Sequence, residues 1–225
     1  MPKLVLFDID GTLLRGHGAG SRAMRRAAEA VLGERCRGAE IELGGALDPW
    51  ILRQLAEHGG YTLDDALHAE FRRTYRELLI HELANAERRI EALPGVHELL
   101  THMRQTRVAT LGLLTGNYAD TGALKLRAAG IDPDWFEIAA WGDMAEARPG
   151  LVPVALAQLT AALAPEHVIV VGDTVRDVHC AHENGALCVA VATGGSTRAA
   201  LEAAGADIVL DDLRDPAPVL RLIDG

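Results

Sequence analysis

Three stretches of this chain place acids, hydroxyls and glycines where apolar runs stop. Lys3-Leu-Val-Leu-Phe7 gives way to Asp8-Ile9-Asp10-Gly11-Thr12-Leu13, and a second run ends in Leu114-Thr115-Gly116-Asn117. A third ends in Gly172-Asp173-Thr174-Val175-Arg176-Asp177. Asp8, Asp10, Asp173 and Asp177, gathered in a partly dry cleft, would repel one another. The simplest compensation is a hard divalent cation, and an all-oxygen donor set suits magnesium. Magnesium keeps waters and favours phosphate oxygens, so the implied ligand is a phosphate ester. The turns at Gly11 and Gly116 allow close backbone approach. Thr12, Thr115 and Asn117 could donate hydrogen bonds to phosphoryl oxygens. Asp8 has the chemistry of a nucleophile, and Asp10, two residues on, that of a general acid and base.

Such residues work together only if the fold brings them to one edge. The runs Lys3 to Asp8, Val108 to Thr115, Glu137 to Trp141, His167 to Gly172, Leu187 to Ala192 and Ala206 to Leu210 read as buried strands. Helical patterns fill Val96 to Met103, Asp120 to Ala129, Leu151 to Leu163, Val175 to Asn184 and Ser196 to Ala204. Gly130, Gly185 and Gly205 stand at the helix ends. This alternation predicts an α/β fold with a parallel sheet covered on both faces, whose ligands bind at the carboxyl ends of the strands. From about Gly16 to Ile90 the alternation breaks. Ser21 reads as the cap of an Ala-rich helix ending at Gly33, and Asp48-Pro49 as a cap and first-turn proline, with Gly59-Gly60 as the stop. Thr62 opens a third helix with Leu63, Leu67, Phe71, Tyr75 and Leu79 along one stripe. Pro94-Gly95 marks the return to the core.

Bulk properties narrow the partners. The chain has 225 residues, 49% of them hydrophobic, enough for a substantial core and too apolar for disorder. A net charge of −10 argues against a phosphate-tracking nucleic-acid surface. No apolar run approaches the ~20 residues of a membrane span, and the acidic start MPKLVLFDID is unlike a signal peptide, which points to the cytoplasm. Cys36, Cys180 and Cys188 are odd in number and lack CxxC spacing, as free thiols in a reducing compartment would.

DIDGTL, LLTGN and GDTVRD, in this order and at these strand ends, resemble the motifs of the haloacid dehalogenase (HAD) superfamily in its phosphatase branch. The resemblance covers essentially the whole chain. It implies a Rossmann-like core from residues 1–15 and 91–225, with an inserted all-helical cap over 16–90. It also implies Asp8 as the nucleophile forming an aspartyl-phosphate and Asp10 as general acid/base. Magnesium would be bound by Asp8, the Asp10 carbonyl and Asp173, with Asp177 assisting. Thr115, Gly116 and Asn117 would hold the transferring phosphoryl group. A lysine that the family places before a proline is replaced here by Arg148, in Glu146-Ala147-Arg148-Pro149, and neither Lys3 nor Lys125 falls where it could serve. The expected activity is magnesium-dependent phosphatase action on a small phosphorylated metabolite by a monomer or homodimer, with phosphoglycolate phosphatase-like enzymes the nearest resemblance. The rivals are a β-phosphoglucomutase-like phosphotransferase, a metal-free dehalogenase, against which Asp10 argues, and a catalytically silent ligand-binding domain. Gly16-His-Gly-Ala-Gly20 reads as the connection into the cap. Trp50 and Arg53 are candidates for substrate contact. Arg25-Arg26 and Arg72-Arg73 read as solvated helix faces, and His179, Cys180 and His182 as helix residues rather than a second metal site.

Overall fold

Alternate residues of the first strand serve different cores. In the computed structural model, which describes residues 3–224 apart from 86 and 88, Val5 and Phe7 join one apolar cluster, and Leu4 and Leu6 join another. Strand β1 (Leu4–Phe7) is therefore buried on both faces, as a central parallel strand must be. It pairs in parallel with β4 (Thr110–Leu114) on one side and β6 (Val168–Gly172) on the other. With β5 (Ile138–Ala140), β7 (Leu187–Val191) and β8 (Ile208–Leu210) these form a six-stranded parallel sheet, in the order β5-β4-β1-β6-β7-β8. Helices α4 (Val96–Thr106), α5 (Ala119–Ala128), α6 (Leu151–Leu156), α7 (Val175–Glu183), α8 (Arg198–Ala203) and α9 (Ala217–Asp224) complete this part of the chain. The expected α/β architecture is present. The β1 position places its carboxyl end directly beside those of β4 and β6.

Between β1 and β4 lie α1 (Ala19–Leu32), α2 (Asp48–Gly59) and α3 (Asp65–Leu83), with α1 packed most extensively on α3. Both connections to this segment pass through a short antiparallel ladder, β2 (Leu14–Arg15) with β3 (Glu91–Ala92). Phe71, Tyr75 and Leu79 of the α3 stripe are buried, while Leu63 and Leu67 are packed at its edge.

Several local readings need correction. Gly18, at φ 74°, is the residue before α1, so Ser21 lies inside the helix. Asp48 is the first residue of α2 and Leu47 precedes it. Helix α3 starts at Asp65, three residues after Thr62, because the Asp64 carboxylate accepts from the Leu67 N–H at 2.8 Å and caps it. Helix α6 stops at Leu156, where the bonds tighten to Gln158 N–H on Ala155 O and Leu159 N–H on Leu156 O. The β2–β3 ladder and α9 are additions, and a loop over 37–47 interrupts the helical segment. Among the described residues no helix is long and apolar enough to cross a membrane.

Candidate active site

The carboxyl ends of β1, β4, β6 and β7 open into a cleft of about 310 Å³. Asp8 stands one residue past β1, its N–H held by Val171 O at 2.9 Å, and Asp173 stands one residue past the neighbouring β6. Carboxylate oxygens of Asp8, Asp173 and Asp177 lie within 4.8 Å of one another, and all three residues are buried. This approach requires missing side chains. A Cβ on Gly11 or Gly194 would collide with the Asp173 carboxylate, and one on Gly172 would strike Asp177. Thr12 donates its hydroxyl to Asp173 Oδ1 at 3.3 Å, and the Gly195 N–H donates to Asp173 Oδ2.

Burial and mutual repulsion show in the proton affinities. Burial pushes the Asp8 carboxyl up to about 6, with Arg148 pulling it down and Asp177 and Asp10 raising it further. Burial, then Asp8 and Asp177, push Asp173 up to about 8 against the Gly195 N–H. A carboxylate raised in this way binds its proton more tightly folded than unfolded. Its contribution to stability is therefore present below about pH 4 and is lost as pH rises toward 8. In chelator, Asp173→Asn should gain on the unsubstituted protein by about 3 °C or more in Tm between pH 5 and pH 8. Magnesium should close that gap by raising the Tm of the unsubstituted chain. Calorimetric scans at the two pH values check both, and a pH-independent difference would contradict the shift.

Arg148 lies in the cleft beside Asp8, and each of its three nitrogens has a partner. Nε and Nη2 donate to Asp177 Oδ1 at 3.0 and 2.5 Å, Nη1 to Gly45 O at 3.1 Å, and Nη2 pairs with Asp8 Oδ1 at 3.1 Å. The other Asp177 oxygen accepts from the Thr174 N–H at 3.0 Å and hydroxyl at 2.6 Å, which caps α7. Both Asp177 oxygens are thus engaged by protein groups. Arg148→Met leaves Asp8 and Asp177 buried without their cation. It should cost about 3–5 kcal/mol, or about 10 °C in Tm, and Arg148→Lys, which keeps charge but not the fork, should cost less.

The second cation is one that sequence reasoning excluded. Lys125 of α5 is buried in the cleft, with Nζ 2.6 Å from both Asp10 Oδ2 and Asn117 Oδ1. Burial opposes its charge, but Asp10 and Asp48 more than compensate and hold its pKa above the ordinary value. Asn117 lies two residues before α5, and steps of four from it through Thr121 to Lys125 put the lysine on the helix face that continues from the motif asparagine. That spacing was the available signal. Asn117 Nδ2 also donates to Asp10 Oδ2 at 2.9 Å and to Thr115 Oγ1 at 2.8 Å, so one Asp10 oxygen is held in this network, and its carboxylate is not one of the three that converge.

The 16–90 segment supplies the opposite wall. Gly116 O accepts from the Asp48 N–H at 2.7 Å, and a Cβ on Gly116 would strike Ala46 O. Gly16, Gly18 and Gly20 line the cleft, and a Cβ on Gly20 would lie 2.8 Å from Lys125 Nζ. Trp50 and Arg53 do not line it. Trp50 packs on the apolar clusters and Arg53 pairs with Glu146 at 3.6 Å. Arg72 is no free surface group, since it bonds Asp120 and Asp143 and covers the Tyr118 ring. His179 and Cys180 do not converge with His182, which pairs with Asp207.

The haloacid dehalogenase-like hydrolase family model matches residues 2–185. The chain belongs to that family. Among relatives of this HAD-like hydrolase, the phosphoglycolate phosphatase of Pseudomonas putida is 28% identical, covering 100% of this chain and 84% of that protein. The pyrophosphatase PpaX of Oceanobacillus iheyensis is 26% identical over 142 residues, 63% of this chain and 64% of that protein. The structure of CbbY from Rhodobacter sphaeroides in complex with phosphate superposes with a TM-score of 0.72 at 25% identity, covering 96% of each chain.

Proposed function

We propose that this HAD-like hydrolase is a magnesium-dependent phosphatase of small phosphorylated metabolites that works through an aspartyl-phosphate on Asp8. The observation that carries the reading is the convergence of Asp8, Asp173 and Asp177 beside Arg148 in a cleft that Thr115 and Asn117 also line or border. The phosphatase names of two relatives support it.

The donor set is all carboxylate oxygen, hard and mutually repelling, and it fits a hard divalent cation. Asp8 and Asp173, with the Asp10 carbonyl, would hold magnesium. Asp177 would assist through water, because its own oxygens are occupied. When bound, the ion neutralises these acids and withdraws charge from phosphoryl oxygens. The protein's own groups do the rest. Asp8 Oδ2, the oxygen not paired with Arg148, attacks phosphorus, and Arg148 steadies the partner oxygen. Thr115 and the Gly116 and Asn117 backbone cradle the phosphoryl group. Asp10, held by Lys125 and Asn117, delivers a proton to the departing oxygen and later takes one from the attacking water. Residues 16–90 act as the cap, limiting substrate size and excluding water. Three free, buried cysteines fit a reducing cytoplasm.

The test is phosphate release from p-nitrophenyl phosphate, which offers no sugar hydroxyl for transfer. Release should depend on magnesium and fall about 10²-fold or more in chelator. Metal-independent release, or none under any divalent ion, would overturn the reading.

A further inference from the structure

We propose that Asp48 selects the leaving group, so that the fragment departing from phosphorus carries a hydroxyl or ammonium donor and no second anionic group. This rests on the phosphatase reading of the same cleft and adds the substrate class.

The wall facing Asp173 has an unusual charge balance. Its side chains from residues 16–90 are small or apolar apart from Ser21, Asp48 and Tyr75, and among the described residues no arginine or lysine of that segment lines it. Arg22 and Arg176 do not line the cleft: Arg22 binds Glu82 and His17 O, with its Nη2 buried and unpartnered, and Arg176 binds Gly44 O at 2.6 Å. Lys125 is the one cation lining this side, and two carboxylates, Asp10 and Asp48, already offset its charge. A phosphate ester bearing a carboxylate or second phosphate on its leaving group would find no free cation here. It would instead meet Asp48.

Asp48 itself is 6% exposed and lines the cleft from the first turn of α2. One oxygen accepts from the Tyr118 N–H at 3.0 Å, and the other accepts no hydrogen bond among the described residues. That second oxygen is not sealed from solvent, so in the cleft water fills its acceptor positions and a donor on a bound substrate would take the water's place. Burial lifts the Asp48 pKa to about 7, against the pull of Lys125. A hydroxyl or ammonium on the leaving group completes that hydrogen bonding, and the ammonium also matches the charge. Anchoring Tyr118 alone needs only one oxygen, which an asparagine would supply.

The wild-type enzyme with magnesium should be assayed on three phosphomonoesters of similar size: phosphoethanolamine, glycerol phosphate and phosphoglycolate. The first two should exceed the third in kcat/KM by about 10-fold or more. Asp48→Asn, which retains an acceptor for Tyr118, should narrow that ratio by about 10-fold, raising the phosphoglycolate value and lowering the phosphoethanolamine value. A purely structural role would shift all three together. Preference for phosphoglycolate, or an unchanged ratio in the variant, overturns the selection by Asp48 and leaves the phosphatase reading standing. Silence on all three, and on aryl phosphate, overturns both.

Discussion

Asp8→Asn is expected to reduce phosphate release from an aryl phosphate by about 10⁴-fold or more, because an amide oxygen of neutral charge cannot displace an alkoxide or phenoxide from phosphorus. The structure argues that this loss is chemical. Asn keeps the shape of Asp, and Arg148 retains Nε and Nη2 bonds to Asp177 when its contact to position 8 weakens. The substitution also removes one of the charges that raise the Asp173 pKa. Metal-free Asp8→Asn should therefore match or exceed the unsubstituted Tm at pH 8, while its turnover disappears. Steady-state assays beside thermal scans check the pair of outcomes. A variant that is both unfolded and inactive would not fit, and neither would one that keeps its activity.

Asp10→Asn should lower turnover by about 10²- to 10⁴-fold, the range for losing a positioned acid or base. Its effect should depend on the step. Phenoxide departs without help, so transfer from an aryl phosphate to Asp8 should survive better than the return of the phosphoryl group to water, which needs a base. An initial burst of phenol followed by a slow phase is the expected trace. With an alkyl phosphate, whose leaving oxygen needs a proton, the burst should vanish. Lys125 and Asn117 hold Asp10 Oδ2 at 2.6 and 2.9 Å, so an amide at position 10 can still accept from both and the network remains. Rapid-quench measurements with the two substrates distinguish this division from a uniform loss.

The sheet and the three polar turns at its strand ends were legible because continuous apolar runs ended abruptly in acid, hydroxyl and glycine. Val168 to Gly172, buried throughout, leading to Asp173, is such a boundary. Arg148 was legible only through the family resemblance, as the residue standing before Pro149 where the family has a lysine. Lys125 was not, because nothing local shows which face of a helix meets a cleft. Only the four-residue spacing from Asn117 through Thr121 carried that information. Asp48 read as a helix cap, since Asp-Pro is a strong local signal, and its tertiary bond to the Tyr118 N–H, 70 residues away, leaves no local trace. Asp177 had the reverse problem. Its spacing from Thr174 is that of a capping box, and the structure shows the cap bond and the Arg148 pairing on the same carboxylate. The β2 and β3 strands, two residues each, are too short for any period to register.

Covalent capture at Asp8 is the most direct measurement. Asp10→Asn, mixed with aryl phosphate and magnesium, would be quenched in acid during the slow phase, reduced with borohydride and digested for peptide mass spectrometry. An acyl-phosphate on the Asp8 carboxylate yields homoserine at position 8 in a substrate-dependent manner, and that is the expected product. Release of phenol in the burst with Asp8 recovered unmodified would show that phosphorus never bonds to this side chain, and the nucleophilic role assigned to it would fall.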